Sequence, residues 1–236
     1  MIKAILFDID NTLMDFAMRK SKSIDASIFA MQESGLDLEF NTAKKEIYEI
    51  YDKVGIENQN IFQIYLESKN IYNNYKLLAR AIYAYRKVKD LETKTYPKVK
   101  KIFIEFIKKG ITLGIISDAP RLQAHLRLVE LGLEDFFEFV LTPEDLGNNK
   151  TTTIPFEKAK EILGLEANEI LFVGDRPDRD ILNAKKIGMK TAFAAYGYYG
   201  GIIPKEIPKE DFEKIKKEYN PDFILERFED ILKVIN

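Results

Sequence analysis

Cysteine is absent from this 236-residue chain, and histidine occurs once, at His125. The first absence excludes disulfides and thiolate metal sites. The lone histidine falls in the middle of a helical pattern, so no chemistry here depends on imidazole. An excess of charge of either sign is also missing: 36 Lys and Arg stand against 38 Asp and Glu, interspersed, for a net charge of −2. No basic footprint for a nucleic acid is present. No apolar run approaches the roughly 20 residues of a membrane-spanning helix. The first residues open directly on a strand pattern, Ile2 to Phe7, without a basic leader or a small-residue cleavage site. These absences lead to the expectation of a soluble, cytoplasmic protein without nucleic-acid or membrane partners, and they leave its oligomeric state open. What is present, 46% hydrophobic and 31% charged residues, suits one domain with an insertion or two modest domains.

Five apolar runs read as strands, at about 2–8, 111–117, 137–141, 170–173 and 189–195. Unbroken apolar runs are expected of strands covered on both faces. Between them, Val99, Ile102, Phe103, Phe106 and Ile107 form a helical stripe, with Pro97 placed as a first helical residue and Gly110 as the stop. Further helices are expected from Pro120 to Leu131, Ile154 to Leu163 and Asp178 to Ile187, each ending before a glycine. This alternation implies an α/β fold with a parallel sheet wound on both sides.

Residues 14–93 break the rhythm with helical stripes alone: Ile24, Ile28, Phe29 and Met31; Ile47, Ile50, Tyr51 and Val54; Ile61 to Leu66; Leu77 to Tyr85. We read them as an inserted helical bundle, with its tyrosines in packing roles. Placed there, the insertion would hang over a site at the strand ends. Its cations Arg19, Lys20, Lys22, Arg80 and Arg86 read as solvated charge. Beyond residue 201, a charged loop and surface helix lead to a short strand at 222–225 and a closing helix, Phe228 to Ile235.

The chemistry sits at the strand exits, where open α/β sheets place their ligands. Asp8 and Asp10 end the first run, share one side of the extended chain and are followed by Thr12. A carboxylate can attack phosphorus directly, splitting one displacement into two. Asp8 is then the candidate nucleophile and Asp10 the candidate acid/base. Asp175 and Asp180 flank the turn after the fourth strand, in Gly174-Asp175-Arg176-Pro177-Asp178-Arg179-Asp180. Hard Mg²⁺ prefers such oxygen donors, with Asp175 nearest as a direct ligand and Asp180 acting from further out. Asp178 reads as a helix-capping acid. Lys150 in a polar loop suits a phosphate oxygen or an anionic nucleophile. Ser117, ending the second run, can hydrogen-bond a transferring phosphoryl group.

In these residues the chain resembles the haloacid dehalogenase superfamily of phosphohydrolases over nearly its full length. Asp8-Ile9-Asp10-Asn11-Thr12 is similar to the family's first motif, Ser117-Asp118 to the second, Lys150 to the third, and Gly174-Asp175 through Asp180 to the fourth. The resemblance implies a three-layer Rossmann-like sheet of order 5-4-1-2-3, with a core at 1–13 and 94–236 and an α-helical cap at 14–93. The cap branch and the N-acylneuraminate-9-phosphatase-like subgroup are the nearest in likeness. It further implies Mg²⁺ held by Asp8, the Asp10 carbonyl and Asp175 with Asp180 in support. Thr12, Ser117, Asp118 and Lys150 would surround the phosphoryl group. Asn11 stands where glycine is commonest, Asp118 where asparagine is frequent, and Thr151-Thr152-Thr153 follow Lys150 in place of proline and an acid.

The implied activity is hydrolysis of a small phosphorylated metabolite through an aspartyl-phosphate. A phosphomutase on the same core and a catalytically idle binding protein are the alternatives. A dehalogenase, needing neither metal nor an acid/base aspartate, is disfavoured by Asp10 with Asp175.

Overall fold

The computed structural model describes residues 1–201, 203–205 and 207–235; of the expected loop after Gly201, positions 202 and 206 lie outside the described residues. The chain forms two compact units, Met1–Phe16 with Lys94–Asn236, and Ala17–Thr93.

Among its described residues the first unit carries six parallel strands: β1 Ala4–Phe7, β2 Thr112–Ile116, β3 Val140–Leu141, β4 Ile170–Gly174, β5 Lys190–Ala194 and β6 Phe223–Leu225. Their spatial order is β3-β2-β1-β4-β5-β6. The expected five-strand order is contained whole, and the short last strand extends it beside β5. In β1 every residue is buried, because alternate side chains enter different cores. Ile5 and Phe7 point to one face, where Phe103 and Phe228 pack; Ala4 and Leu6 point to the other, with Phe156 and Phe172. Phe7 and Phe103 ring centres lie 5.1 Å apart. Each such buried ring stabilises the sheet by roughly 1.5–3 kcal/mol. Gly114 in β2 answers a steric demand: a Cβ there would lie 2.7 Å from the Phe139 ring and 2.9 Å from Leu6.

Seven α-helices lie among the described residues of this unit: α5 Val99–Lys108, α6 Arg121–Leu131, α7 Pro143–Leu146, α8 Ile154–Leu163, α9 Leu182–Lys186, α10 Lys209–Tyr219 and the short α11 Leu232–Ile235. Gly132 and Gly164 end α6 and α8 in the left-handed conformation, as the glycine stops anticipate. Several boundaries differ from expectation: the strand expected at 137–141 is only Val140–Leu141, α6 begins at Arg121 after Pro120, and the closing helix starts with a 3-10 turn, Phe228–Ile231, before α11. Pro97 does not start α5, because Lys98 takes a left-handed φ of 68° and delays the helix to Val99. The segment after β4 is not one α-helix: Pro177–Ile181 is a π-type turn, and α9 follows it.

The second unit holds four helices: α1 Phe16–Glu33, whose first residue belongs to the other unit, α2 Phe40–Val54, α3 Ile61–Ser68 and α4 Tyr75–Glu92. Ile24, Ile28, Met31, Ile47, Tyr51, Ile61, Tyr65, Leu77 and Ala81 are buried. Phe29 and Val54, expected on the same stripes, are exposed at 56% and 41%. Two cations overturn the expectation of solvated charge, since Arg19 and Lys20 are buried. Lys20 Nζ donates to the Ile56 carbonyl at 2.7 Å and lies 4.4 Å from the Tyr51 ring centre. Arg19 donates to Thr93 Oγ1 at 3.3 Å. Long aliphatic stems let both side chains lie buried, the Lys20 charge meeting a carbonyl and a ring face and the Arg19 guanidinium a hydroxyl. Lys22, Arg80 and Arg86 are exposed, as expected.

Candidate functional site

The sheet reverses direction of growth at β1, with β2 on one side and β4 on the other. Crossovers leave β1 and β4 toward opposite faces, and the crevice beyond their carboxyl ends is where such sheets bind ligands. Asp8 follows β1 and Asp175 follows β4. The Asp8 amide donates to the Val173 carbonyl at 3.0 Å, so the ladder carries the two exits forward together. Asn11 then turns the chain with a φ of 57°, a left-handed conformation that asparagine tolerates. Its Nδ2 donates to Asp175 Oδ2 at 3.4 Å.

The π-type turn brings Asp180 inward. Asp180 Oδ2 accepts the Arg176 amide at 3.0 Å, and the side chain occupies the space where a Gly174 Cβ would stand. Oxygens of Asp8, Asp175 and Asp180 thereby come within 4.8 Å of one another. All three residues are buried, Asp180 completely. Lys150 Nζ sits between two of them, 2.7 Å from Asp8 Oδ1 and 2.8 Å from Asp180 Oδ1. Its main chain is held at both ends: the amide donates to Asp118 Oδ1 at 2.8 Å, and the carbonyl accepts from Asn183 Nδ2 at 2.7 Å. Asp118's other oxygen pairs with Arg179 at 3.2 Å.

One buried lysine does not balance three buried carboxylates. Burial pushes the Asp8 carboxyl up, and neighbouring Asp10 and Asp118 add to that, while Lys150 pulls it back. Asp175 lies well above the ordinary carboxylate range through burial and the charges of Asp8 and Asp180. Burial would lower the Lys150 ammonium, but Asp180, Asp8 and Asp118 outweigh it and hold the proton on. A hard divalent cation among these oxygens would relieve the residual repulsion.

Asp180 makes this measurable. Burial, with Asp8 adding, pushes its carboxyl from 3.8 up to about 6 against the pull of Lys150. Between those values the folded state holds more protons than the unfolded one, so this group's contribution to stability falls as pH rises through the window. Asp180→Asn carries no such proton. In cation-free buffer, the variant's unfolding free energy relative to the parent is expected to rise between pH 4 and 6.5, by up to about 3 kcal/mol. Urea denaturation at the two pH values checks it, and a difference independent of pH would contradict it.

The structure brings together Asp8, Lys150, Asp175 and Asp180, as the motif reading expects. Ser117 is buried at the end of β2, where its hydroxyl accepts the Ala119 amide at 3.2 Å. Thr12 is fully buried, and its Oγ1 has no hydrogen-bond partner among the described residues. The Asp10 carboxylate is not among the three clustered acids. It pairs with Arg127, whose Nε lies 2.8 Å from Asp10 Oδ1.

Three contributors escape a motif reading. Arg127 is a charged residue on the apolar face of α6, three residues after buried Ala124 and next to buried Leu128; that misfit is its signal. Asn183 has the same kind of signal, a buried polar residue in α9. Tyr196 lies at the exit of β5, the one long strand whose end carries no acid. Its hydroxyl donates to the Thr12 carbonyl at 2.7 Å, and burial beside Asp175 and Asp8 keeps it protonated. The same segment presses on Asn11, for a Cβ at Gly197 would fall 1.6 Å from the Asn11 carbonyl oxygen.

Fold and site together define a Rossmann-like protein whose carboxylates and buried lysine collect at the sheet's switch point. The haloacid dehalogenase-like hydrolase family matches residues 5–194, and the chain belongs to it. It is 33% identical over 235 residues to a glyceraldehyde 3-phosphate phosphatase of Pyrococcus abyssi, covering 100% of this chain and 94% of that protein. It is 26% identical over 244 residues to a phosphoglycolate phosphatase of Yersinia pestis, covering 99% and 93% of the two chains. Among solved structures, a HAD phosphatase from Thermococcus onnurineus shares its fold, with a TM-score of 0.61 at 21% identity over 100% of this chain and 98% of that one. No helix among the described residues is long and apolar enough to cross a membrane.

Proposed function

We propose that this protein is a Mg²⁺-dependent phosphomonoester hydrolase acting on a small phosphorylated metabolite. The observation that carries the reading is the seating of Lys150 Nζ between Asp8 and Asp180, with Asp175 in the same cluster. In the first step, an oxygen of the Asp8 carboxylate attacks phosphorus and the bond to the ester oxygen breaks. The departing oxygen takes the electron pair and receives a proton from the Asp10 carboxyl. In the second step, water attacks the aspartyl-phosphate, Asp10 takes the water's proton, and the Asp8–phosphorus bond breaks to release inorganic phosphate. Lys150 holds Asp8 in place and offsets charge on the phosphoryl oxygens. Thr12, with its unpartnered hydroxyl, and Ser117 supply further donors. Asp118 contributes by fixing the Lys150 main chain, both of its oxygens being engaged.

The donor set fits Mg²⁺: all oxygen, buried and charged beyond what Lys150 balances. Asp8 and Asp175 would hold the ion with the Asp10 carbonyl, and Asp180 would support from behind. When bound, the cation supplies charge neutralisation to the transferring phosphoryl group. The relatives named for glyceraldehyde 3-phosphate and phosphoglycolate favour a two- or three-carbon substrate. That favours a smaller ligand than the N-acylneuraminate-9-phosphatase-like subgroup suggests. In this reading the cap expected at 14–93 is the compact unit Ala17–Thr93, and the cytoplasm is the compartment.

Purified protein with Mg²⁺ is expected to release phosphate from p-nitrophenyl phosphate and from glyceraldehyde 3-phosphate. Chelation should abolish release and added Mg²⁺ restore it. Full activity in chelator would refute the cation's part. Isomerisation of a sugar phosphate without phosphate release would favour a mutase.

A further inference from the structure

We propose that Arg127 is a positioning residue for this reaction, holding the Asp10 carboxyl in the orientation from which it serves the departing ester oxygen. The inference rests on the hydrolase reading above and adds to it a residue outside the four motifs. Arg127 is only 3% exposed, whereas the Asp10 side chain is 25% exposed. The arginine is therefore the deeper member of the pair, and part of the Asp10 side chain is in reach of solvent. Nε approaches Asp10 Oδ1 to 2.8 Å, and the guanidinium carbon lies 4.7 Å from the Phe16 ring centre. One planar group thus meets both ends of the 10–16 segment, a carboxylate at one and an aromatic ring at the other.

Its base is rigid. Ala124, Leu128 and Leu131 anchor the same face of α6 in the core. Burying a guanidinium is costly unless it is paired in good geometry. An exposed position one turn around the helix would avoid that cost, so its place inside calls for a function. The 2.8 Å contact is a close ion pair in which Nε and Oδ1 do not align as donor and acceptor, so the guanidinium acts by fixing where a charge sits beside the carboxyl, and its planar shape limits how that charge can be placed. Asp10 needs direction, because a proton donor misplaced by about an ångström loses its effect on the reaction.

The test separates orientation from mere stability by leaving group. p-Nitrophenolate departs without protonation, whereas an alkoxide such as that of glycerol phosphate requires it. For Arg127→Met, kcat/KM on glycerol phosphate is expected to fall roughly 100-fold, and on p-nitrophenyl phosphate less than about 10-fold. Arg127→Lys keeps the buried charge without the planar reach, and should lose roughly 10-fold on the alkyl ester alone. Should Arg127→Met fail to fold, the lysine variant decides the matter. Equal losses on both esters, or wild-type behaviour of Arg127→Lys, would overturn the inference while leaving the hydrolase reading intact. A wild-type protein inert toward both esters would refute that reading and this inference with it.

Discussion

Asp8→Asn is expected to abolish turnover, lowering phosphate release by roughly 10⁴-fold or more, as removal of a covalent nucleophile does elsewhere. The amide matches the carboxylate in shape but offers phosphorus no anionic oxygen. The fold should survive, because the variant removes one of three buried acids whose oxygens crowd within 4.8 Å. Burial already disfavours the charge on Asp8, and Lys150 retains Asp180 at 2.8 Å. The melting temperature of the cation-free variant should therefore equal or exceed that of the parent. A phosphate-release assay beside a thermal melt reads both halves. Residual activity near the parent's would remove Asp8 from the chemistry.

Lys150→Ala is expected to damage both catalysis and stability. Its ammonium contacts Asp8 and Asp180, and its main chain is pinned by Asp118 and Asn183. Breaking a buried ion pair by removing one partner costs roughly 3–5 kcal/mol. Loss of a preorganised charge at a transferring group costs roughly 10²–10³-fold in kcat/KM. The stability deficit should widen as pH rises from about 5 to 8. Without the ammonium the buried acids bind protons more tightly, so the folded variant retains protons over a wider range than the parent. Lys150→Arg should not restore function, because a planar fork cannot replace a compact charge at a site only 3% exposed. Vanadate inhibition and urea denaturation at two pH values check these outcomes. Unchanged vanadate affinity together with unchanged stability would place Lys150 outside the site.

Periodicity and composition alone determined the alternation of strands and helices, the all-helical stretch that follows β1, and the glycine stops of α6 and α8. Those features are local: a buried parallel strand must be apolar on both faces, and a helix end must satisfy its last carbonyls. The four motif acids and Lys150 were legible for a related reason, since strand exits in such a sheet converge. The tertiary structure decided what depends on partners distant in sequence. It set Lys98 in a left-handed turn and opened the fourth-motif helix into a π-type turn that points Asp180 inward. It buried Arg19 and Lys20 against helix faces and tyrosine rings that no stripe of their own helix reveals. Asp10 meets Arg127 across 117 positions, the difference of their numbers, and Thr12 meets Tyr196 across 184. Such pairings follow from how layers stack, because a charged or hydroxylated side chain is buried only where another part of the chain supplies its counterpart.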